Sequence, residues 1–234
     1  WSLRPLLLTY VFFSVMVVLL SWVFHEWEGR WWLVSRKSNS STKLTEHFFG
    51  LKRRYALVIF LPLLFVAWTN AHGGFVAGFL VLGLALFCRC VEALVHDGRA
   101  ALPVVAYLSV VTFLTGLATF LNPYGWHLHA WLIHSLQVPR PEIVEWHGLD
   151  FASLQAWYFA LLLITAVASW LRDRERRDFT QLVILAVTAW QAISHQRHIS
   201  FFAILVGYWL APQIGSLLRT EREHISEQSR ALRA

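Results

Sequence analysis

Two imidazoles and a guanidinium lie close together in His195-Gln196-Arg197-His198, a segment between two long apolar runs. If the second run is a helix, the free N–H groups and the dipole at this end attract anions. A guanidinium beside such a helix end can hold a phosphate through paired hydrogen bonds. The pattern therefore favours a phosphate site at His195, Arg197 and His198. The alternative is that Arg197 reaches toward lipid headgroups.

A second polar segment, residues 68–75 (WTNAHGGF), carries the amide of Asn70 and the imidazole of His72 between two apolar runs. Polar groups at the end of a membrane span are costly unless they are satisfied. Gly73 and Gly74 would let a ligand approach the backbone closely. The segment therefore predicts a substrate-binding role for Asn70 and His72, and the alternative is an ordinary helix hairpin in which Asn70 is a cap.

The polar stretch 122–155 carries carboxylates, and one of them could act as a base. Glu145 is followed by Trp146 and His147, and a carboxylate beside an aromatic ring is a common arrangement for holding a sugar. Glu145 is therefore the candidate catalytic residue, placed to take a proton from an acceptor hydroxyl. A solvated loop would carry the same residues, so the sequence leaves the identity of the catalytic group open.

Histidines are frequent on the connections that share a predicted side with Arg197. Seven of the 11 histidines fall there: His72, His127, His129, His134, His147, His195 and His198. None of these pairs has the spacing of a helical zinc motif, since His127 and His134 can share a helical face but His129 points away. The sequence therefore predicts no metal site from these residues. It leaves the cofactor unknown, with a divalent metal still open.

The elements that position these residues are predicted from the apolar runs. Hydrophobic residues make up 57% of the chain and charged residues 15%, against a charged share of about 25% in soluble domains. The longest runs reach the roughly 20 residues that a helix needs to cross a hydrocarbon core of about 30 Å. The sequence therefore predicts an all-α, polytopic transmembrane helix bundle of about seven spans. The runs are residues 5–24, 55–68, 75–87, 101–121, 156–171, 179–194 and 199–218.

Basic residues are unevenly distributed over the connections between these runs. Of the 20 Lys and Arg residues, 17 fall on alternate connections, and Arg4, Arg140 and Arg197 fall on the others. Because basic connections stay in the cytoplasm, we expect an N-terminus outside and a C-terminus inside a multi-pass protein of the cell inner membrane. Arg4 would then share the outer face with Arg197 as a second phosphate clamp. The net charge of +6 lies mostly on the inner side and does not indicate nucleic-acid binding.

The predicted organisation divides the chain into a transmembrane region, residues 1–218, and a polar cytoplasmic tail, residues 219–234. Residues 25–54 form a cytoplasmic loop, and residues 122–155 form an outer loop. This outer loop contains a short helix at residues 125–137. The helix is too short to cross the membrane, so we expect it to lie on the outer membrane surface.

Local signals predict how two of these helices begin and end. Asn122 followed by Pro123 predicts an N-cap with proline as the first residue of the interfacial helix. Residues 69–74 predict a tight outer turn between the second and third spans. Gly73 and Gly74 are expected to supply the backbone freedom that this turn needs.

Five short strings, taken in their order along the chain, resemble bacterial membrane glycosyltransferases of the GT-C class. The strings are Leu3-Arg4-Pro5, residues 68–75, residues 122–125 (NPYG), residues 142–146 (EIVEW) and residues 197–202 (RHISFF). Enzymes of this class take sugars from polyprenyl-phosphate donors outside the cytoplasm. The resemblance covers nearly the whole chain and is to the C-terminal part of such a protein. The first residue, Trp1, and the single methionine, Met16, fit this expectation.

The resemblance implies a multi-helix bundle whose active site lies at the outer membrane surface, with Arg4 and Arg197 gripping a lipid-linked phosphate. The implied function is transfer of a sugar from a polyprenyl-phosphate sugar to an extracytoplasmic acceptor. The implied partners are the lipid-linked donor, membrane lipids and upstream helices of the same protein. In that class the acidic residue that acts as base sits in the first outer loop. That loop would precede this chain, which is therefore expected to lack the main catalytic carboxylate.

Two other classes of protein are consistent with the same residues. A haem-handling or transport protein would bind a planar cofactor on outer Trp and His residues, with Trp68 and His72, or Trp146 and His147, as the platform. A membrane scaffold within a larger complex would need no site. A visible absorption spectrum of the purified protein would separate a haem protein from a glycosyltransferase.

Overall fold

The structure, a computed structural model, describes residues 5–25, 27, 44–138, 142–172, 178–212 and 214–215. Regular structure in these residues is helical throughout, without a strand, which confirms the all-α class for this part of the chain. The helices are α1 (Leu6–Val23), α2 (Leu44–Gly50), α3 (Tyr55–Ala71), α4 (Phe75–Asp97), α5 (Leu102–Ala118), α6 (Trp126–Gln137), α7 (Leu154–Arg172), α8 (Phe179–Ser194) and α9 (Ile199–Trp209). Short 3-10 turns lie at Lys52–Arg54, Gly98–Ala101, Val144–Trp146 and Gln196–His198.

Within the described residues, four helical segments are long and apolar enough to cross a membrane. They are Leu6–Val23, Lys52–Ala71, Phe75–Ala118 and Leu154–Arg172. The segment Phe75–Ala118 contains both α4 and α5, and α8 is apolar but shorter. A helix lies in each of the seven predicted apolar runs. The helices are therefore compatible with a membrane protein.

The chain divides into two compact units. The first comprises residues 1–142 and 178–184, and the second comprises residues 143–177 and 185–234. In the first unit, α3 packs against α1 and α5, and α4 packs against α5. Its fully buried apolar side chains include Phe13, Leu57, Leu61, Phe65, Trp68, Leu82 and Leu108. In the second unit α7 packs against α9, and the ring centroids of Phe159 and Phe202 are 5.5 Å apart.

One predicted helix end is wrong, and a second predicted helix is interrupted by a bend. The third run was expected to end at residue 87, but α4 continues to Asp97, and much of the predicted connection 88–100 is helical. Gly98 ends α4 with a φ of +57°, a value that is strained for residues with a side chain. The last run was expected to reach residue 218. Helix α9 ends at Trp209 and the chain bends at Leu210, but residues 211, 212, 214 and 215 are helical again, and residues 216–218 lie outside the described residues.

A buried ion cluster explains why charged residues do not end α4. Nη1 of Arg89 lies 2.6 Å from a carboxylate oxygen of Glu92, and Nη2 lies 2.5 Å from one of Asp178. The guanidinium also lies 5.3 Å from the ring centroid of Phe24. The other oxygen of Asp178 accepts the N–H of Thr180 at 2.8 Å, as an N-cap of α8 does. Asp178 is therefore buried and ties the start of α8 to α4. Residues 173–177 lie outside the described residues.

The turn between α3 and α4 occupies residues 72–74, within the predicted turn 69–74. The reason given for its glycines is wrong, because neither Gly73 nor Gly74 has a positive φ. Gly74 is needed for a close approach instead. A Cβ atom built on Gly74 would overlap the side chain of Thr9 on α1. A glycine therefore lets α1 pack directly against the turn.

The start of α6 also differs from the prediction. The helix begins at Trp126, after Gly125 with a φ of +53°. Asn122 is not its N-cap. The side-chain oxygen of Asn122 accepts the N–H of Tyr124 at 2.9 Å, which is a turn that asparagine forms with its own backbone. Pro123 therefore lies in this turn and not in the first turn of the helix.

One face of α6 packs on the ends of neighbouring helices of the first unit. The ring of His129 stacks on Phe120 at a centroid distance of 4.2 Å, and its Nε2 lies 2.8 Å from the hydroxyl of Thr119. Leu132 lies close to Gly73 in the α3–α4 turn. As predicted, His129 points away from the face that carries the other histidines of α6. The opposite face is exposed and includes Trp126, His127, Trp131, Ile133 and His134.

Candidate functional site

The connection between α8 and α9 is held against an irregular stretch of the second unit by hydrogen bonds. The N–H of Gln196 donates to the carbonyl of His147 at 3.1 Å. The side-chain amide of Gln196 donates to the carbonyl of Gly148 at 3.0 Å. These bonds place the turn Val144–Trp146 beside the turn Gln196–His198, so that residues far apart in the sequence can contact each other.

Arg197 lies in the turn Gln196–His198, beside the turn Val144–Trp146, and is half-buried. Its guanidinium carbon lies 4.5 Å from the ring centroid of Trp146, in a cation–π contact. Its Nε donates to Nε2 of His198 at 3.3 Å. Among the described residues, Nη1 and Nη2 have no hydrogen-bond partner. The arrangement leaves one edge of the guanidinium for a ligand.

The two imidazoles beside Arg197 are uncharged at neutral pH. Burial lowers the pKa of His198 to about 4, helped by the charges of Arg197 and His195 and opposed by the carbonyl of Gln191. Burial and the charge of Arg197 also lower the pKa of His195. Burial lowers the pKa of Arg197 and Glu145 raises it, but a guanidinium stays charged in proteins. Arg197 is therefore the cation of this group.

Glu145, the candidate base, is exposed and lies in the turn that faces Arg197. Its negative charge raises the pKa of Arg197, against the lowering effect of burial. Nothing in its surroundings marks Glu145 as the catalytic group. Its role as a base therefore remains a prediction.

His72 belongs to a hydrogen-bonded chain in the first unit. The N–H of Gly74 donates to Nδ1 of His72 at 3.0 Å, and the hydroxyl of Thr9 lies 2.8 Å from the same nitrogen. The indole N–H of Trp68 donates to the Thr9 hydroxyl at 3.1 Å. Because a backbone N–H can only donate, Nδ1 is the acceptor and the neutral ring carries its proton on Nε2.

Asn70, predicted to bind substrate or to cap a helix, uses its amide nitrogen for two hydrogen bonds within the first unit. Nδ2 donates to the carbonyl of Val66 at 2.8 Å, within α3, and to the carbonyl of Leu121 at 2.9 Å. The amide nitrogen therefore joins the end of α3 to the end of α5. This contact gives Asn70 a structural role in the first unit.

Trp68 is not exposed to a planar ligand. Its side chain has a solvent exposure of 0%, and its ring packs between those of Phe12 and Phe65 at centroid distances of 5.9 and 5.3 Å. The ring of Trp146 already carries the guanidinium of Arg197. Trp68 is therefore not an open platform for haem, and Arg197 occupies one face of Trp146.

The structure brings the predicted site residues together in two groups. His195, Arg197 and His198 meet in the second unit, and Asn70 and His72 lie near the α3–α4 turn of the first. Arg4, the predicted second clamp, lies outside the described residues. Sequence reasoning missed two partners, Trp146 for Arg197 and Thr9 for His72. No short-range signal could have found them, because each partner lies on a distant part of the chain.

No group of three His, Cys, Asp or Glu side chains in the described ranges is close enough to hold a metal ion. Comparison of the chain with protein-family models, with curated proteins and with solved structures finds no significant match. The described residues thus define an all-helical fold with four helical segments that could cross a membrane, and a site at the half-buried cation Arg197, which has an open edge. The function has to be argued from that site.

Proposed function

We propose that this chain forms the phosphate-binding part of a bacterial membrane glycosyltransferase of the GT-C kind. The enzyme would transfer a sugar from a polyprenyl-phosphate sugar to an extracytoplasmic acceptor. The observation that carries the proposal is the geometry of Arg197, whose face lies on Trp146 and whose Nε is bonded to His198. The remaining Nη1–Nη2 edge has the two parallel donors that suit the oxygens of a phosphate.

The reaction requires charge stabilisation at the donor and a base at the acceptor. The bond between the anomeric carbon and a phosphate oxygen breaks, while the acceptor oxygen bonds to that carbon. Arg197 would stabilise the negative charge that grows on the departing phosphate. A carboxylate would take the proton of the acceptor hydroxyl. Glu145 is the candidate in this chain, and the resemblance points to an acidic residue of the first outer loop of the whole protein.

The proposed topology places this chemistry outside the cytoplasm. Helices α1, α3, α4, α5, α7 and α8, and the predicted run 199–218 that begins with α9, would each cross the inner membrane, with the N-terminus outside and the C-terminus inside. The support is the clustering of 17 of the 20 Lys and Arg residues on alternate connections. Arg4, Arg197 and the α3–α4 turn with Asn70 and His72 would then share the outer face, where a lipid-linked donor lies.

The decisive experiment is donor-lipid binding to Arg197→Lys in the full-length protein. An ammonium cannot reproduce the planar two-donor edge of a guanidinium, so a bidentate phosphate site should not accept lysine. Losing one charge-assisted hydrogen bond costs about 1.5–3 kcal/mol, which is about one to two decades of affinity. If Arg197 only reached toward lipid headgroups, a lysine at position 197 would serve equally well and donor binding would not change.

Arg99→Lys is the matched control, because Arg99 is exposed in the turn after α4. It should bind the donor lipid as the wild type does, and expression level should show that both variants fold. Wild-type affinity in a normally expressed Arg197→Lys variant would refute the phosphate site. The glycosyltransferase proposal would then lose the observation that carries it.

A further inference from the structure

The hydrogen bond between Arg197 and His198 has a fixed direction. A guanidinium carries only donors, so Nε of Arg197 donates and Nε2 of His198 accepts. An imidazole that accepts at Nε2 is neutral and carries its proton on Nδ1. Burial lowers the pKa of His198 to about 4, which keeps the ring in this state at pH 7.

Two contacts restrict the guanidinium of Arg197 in different ways. The ring of Trp146 restrains the plane of the guanidinium. The guanidinium carbon lies 4.5 Å from the centroid of that ring. That contact alone allows the group to turn within its plane. The bond from Nε to His198 stops this rotation, because it directs one edge of the guanidinium at a half-buried acceptor. The Nη1–Nη2 edge is then the one that remains.

We propose that His198 is a positioning residue. Its Nε2 holds Arg197 so that the N–H donors of Nη1 and Nη2, the guanidinium fork, are already oriented for a lipid phosphodiester. The inference rests on the phosphate site proposed for Arg197. A fork that is already oriented binds more tightly, because less conformational freedom is lost when the ligand arrives. His198 itself need not touch the ligand.

The other ionisable groups around this pair do not supply the same restraint. His195 is half-buried and uncharged, with its ring centroid 5.5 Å from that of His198. Glu145 and His147 are exposed on the facing stretch. The negative charge of Glu145 raises the pKa of Arg197, but the hydrogen bond of Nε is to His198.

A double-mutant cycle tests the positioning role. The probe is dihexadecyl phosphate, a singly charged phosphodiester without a sugar, titrated at pH 7 into the full-length protein in detergent micelles. His198→Leu should weaken binding about tenfold in the wild-type background. In an Arg197→Lys background the same change should have less than about a twofold effect, because a lysine has no Nε–H to orient. His198→Gln keeps an acceptor near the same place and should restore binding to within about threefold of wild type.

Each outcome separates the positioning role from the phosphate site. An equal loss in both backgrounds, or no loss from His198→Leu while Arg197→Lys weakens binding, would overturn the positioning role alone. Wild-type binding by Arg197→Lys, or no binding by the wild type, would overturn the phosphate site and the positioning role with it. If His198→Leu does not fold, His198→Asn takes its place, because its amide is polar but too short to reach Nε.

Discussion

The six-membered ring of Trp68 lies against the backbone of Gly78, in the space that any side chain at position 78 would occupy. A Cβ atom built on Gly78 would overlap two carbon atoms of this ring and lie 3.1 Å from a third. Trp68 has little room to move, because it is fully buried and its indole N–H is bonded to Thr9. This glycine allows α3 and α4 to pack around one large ring.

Gly78→Ala should therefore destabilise the protein. The added methyl group would displace Trp68 and disturb its bond to Thr9, and overpacking of this kind typically costs about 1–3 kcal/mol. Gly83→Ala is the control in the same helix, because nothing lies within 4 Å of a Cβ atom there. That change should be neutral or stabilising by up to about 1 kcal/mol. Thermal unfolding in detergent measures both, and equal midpoints would contradict the packing argument.

The ion cluster of Arg89 makes a second prediction about stability. Arg89 contacts two buried carboxylates, so Arg89→Met removes a partner from Glu92 and Asp178 at once. Removing the cation that neutralises buried carboxylates typically costs about 3–5 kcal/mol. Asp178→Asn should cost less, because Arg89 keeps Glu92 and the amide oxygen can still accept the N–H of Thr180.

Thermal unfolding and expression level measure this order. Arg172→Met provides the control, since Arg172 is an exposed arginine at the end of α7. It should shift the unfolding midpoint little. A larger loss from Asp178→Asn than from Arg89→Met would contradict the view that Arg89 holds this cluster together.

The sequence predicted the existence of the helices better than their ends. Long apolar runs specify α1, α5 and α7, because in an apolar environment few structures other than a helix satisfy the hydrogen bonds of the backbone N–H and C=O groups. The end of α4 was missed because Arg89 looks like the start of a polar connection. Its partner Asp178 is 89 residues further along the chain, and no local pattern shows that the two charges are buried together.

The candidate site was predicted in the same uneven way. His195, Arg197 and His198 are neighbours in sequence, so their proximity followed from the residues themselves. The contact of Arg197 with Trp146 depends on backbone pairing through Gln196 and His147, which adjacent residues do not encode. Asn122 was misassigned because an Asn-Pro pair suits both a helix cap and a turn, and the position of Gly125 decides between them.

The buried imidazole of His198 predicts how stability depends on pH. Its pKa is 6.5 in an unfolded reference and about 4 in the fold. Between these values the unfolded chain binds a proton that the folded chain does not, so stability should fall as pH falls from 6.5 toward 4. The lowered pKa of His195 acts in the same direction. Above pH 6.5 both imidazoles are mostly neutral in the folded and the unfolded chain, so they no longer make stability depend on pH.

Unfolding midpoints across this window, measured in detergent, test the prediction. His198→Gln removes one titration and should flatten the slope between pH 6.5 and about 4, with the remainder due to His195. An unchanged slope in this variant would mean that the imidazole of His198 is as well hydrated in the fold as in the unfolded chain. The neutral state on which its bond to Arg197 depends would then lose this support.

The proposed seven-span topology predicts which residues can be labelled from each side of the membrane. Cys88 and Cys90 are free thiols, so both are first replaced by alanine to give a background without cysteine. Single cysteines at Ser40 and Arg174 should then react only after the cytoplasmic side is exposed. Cysteines at Gln137, at the end of α6, and at Gln196, beside Arg197, should react with an impermeant reagent in intact cells. Labelling of positions 137 and 174 from the same side would refute the topology, because an odd number of crossings must separate them. It would also remove Arg197 from the face on which a lipid-linked donor is expected.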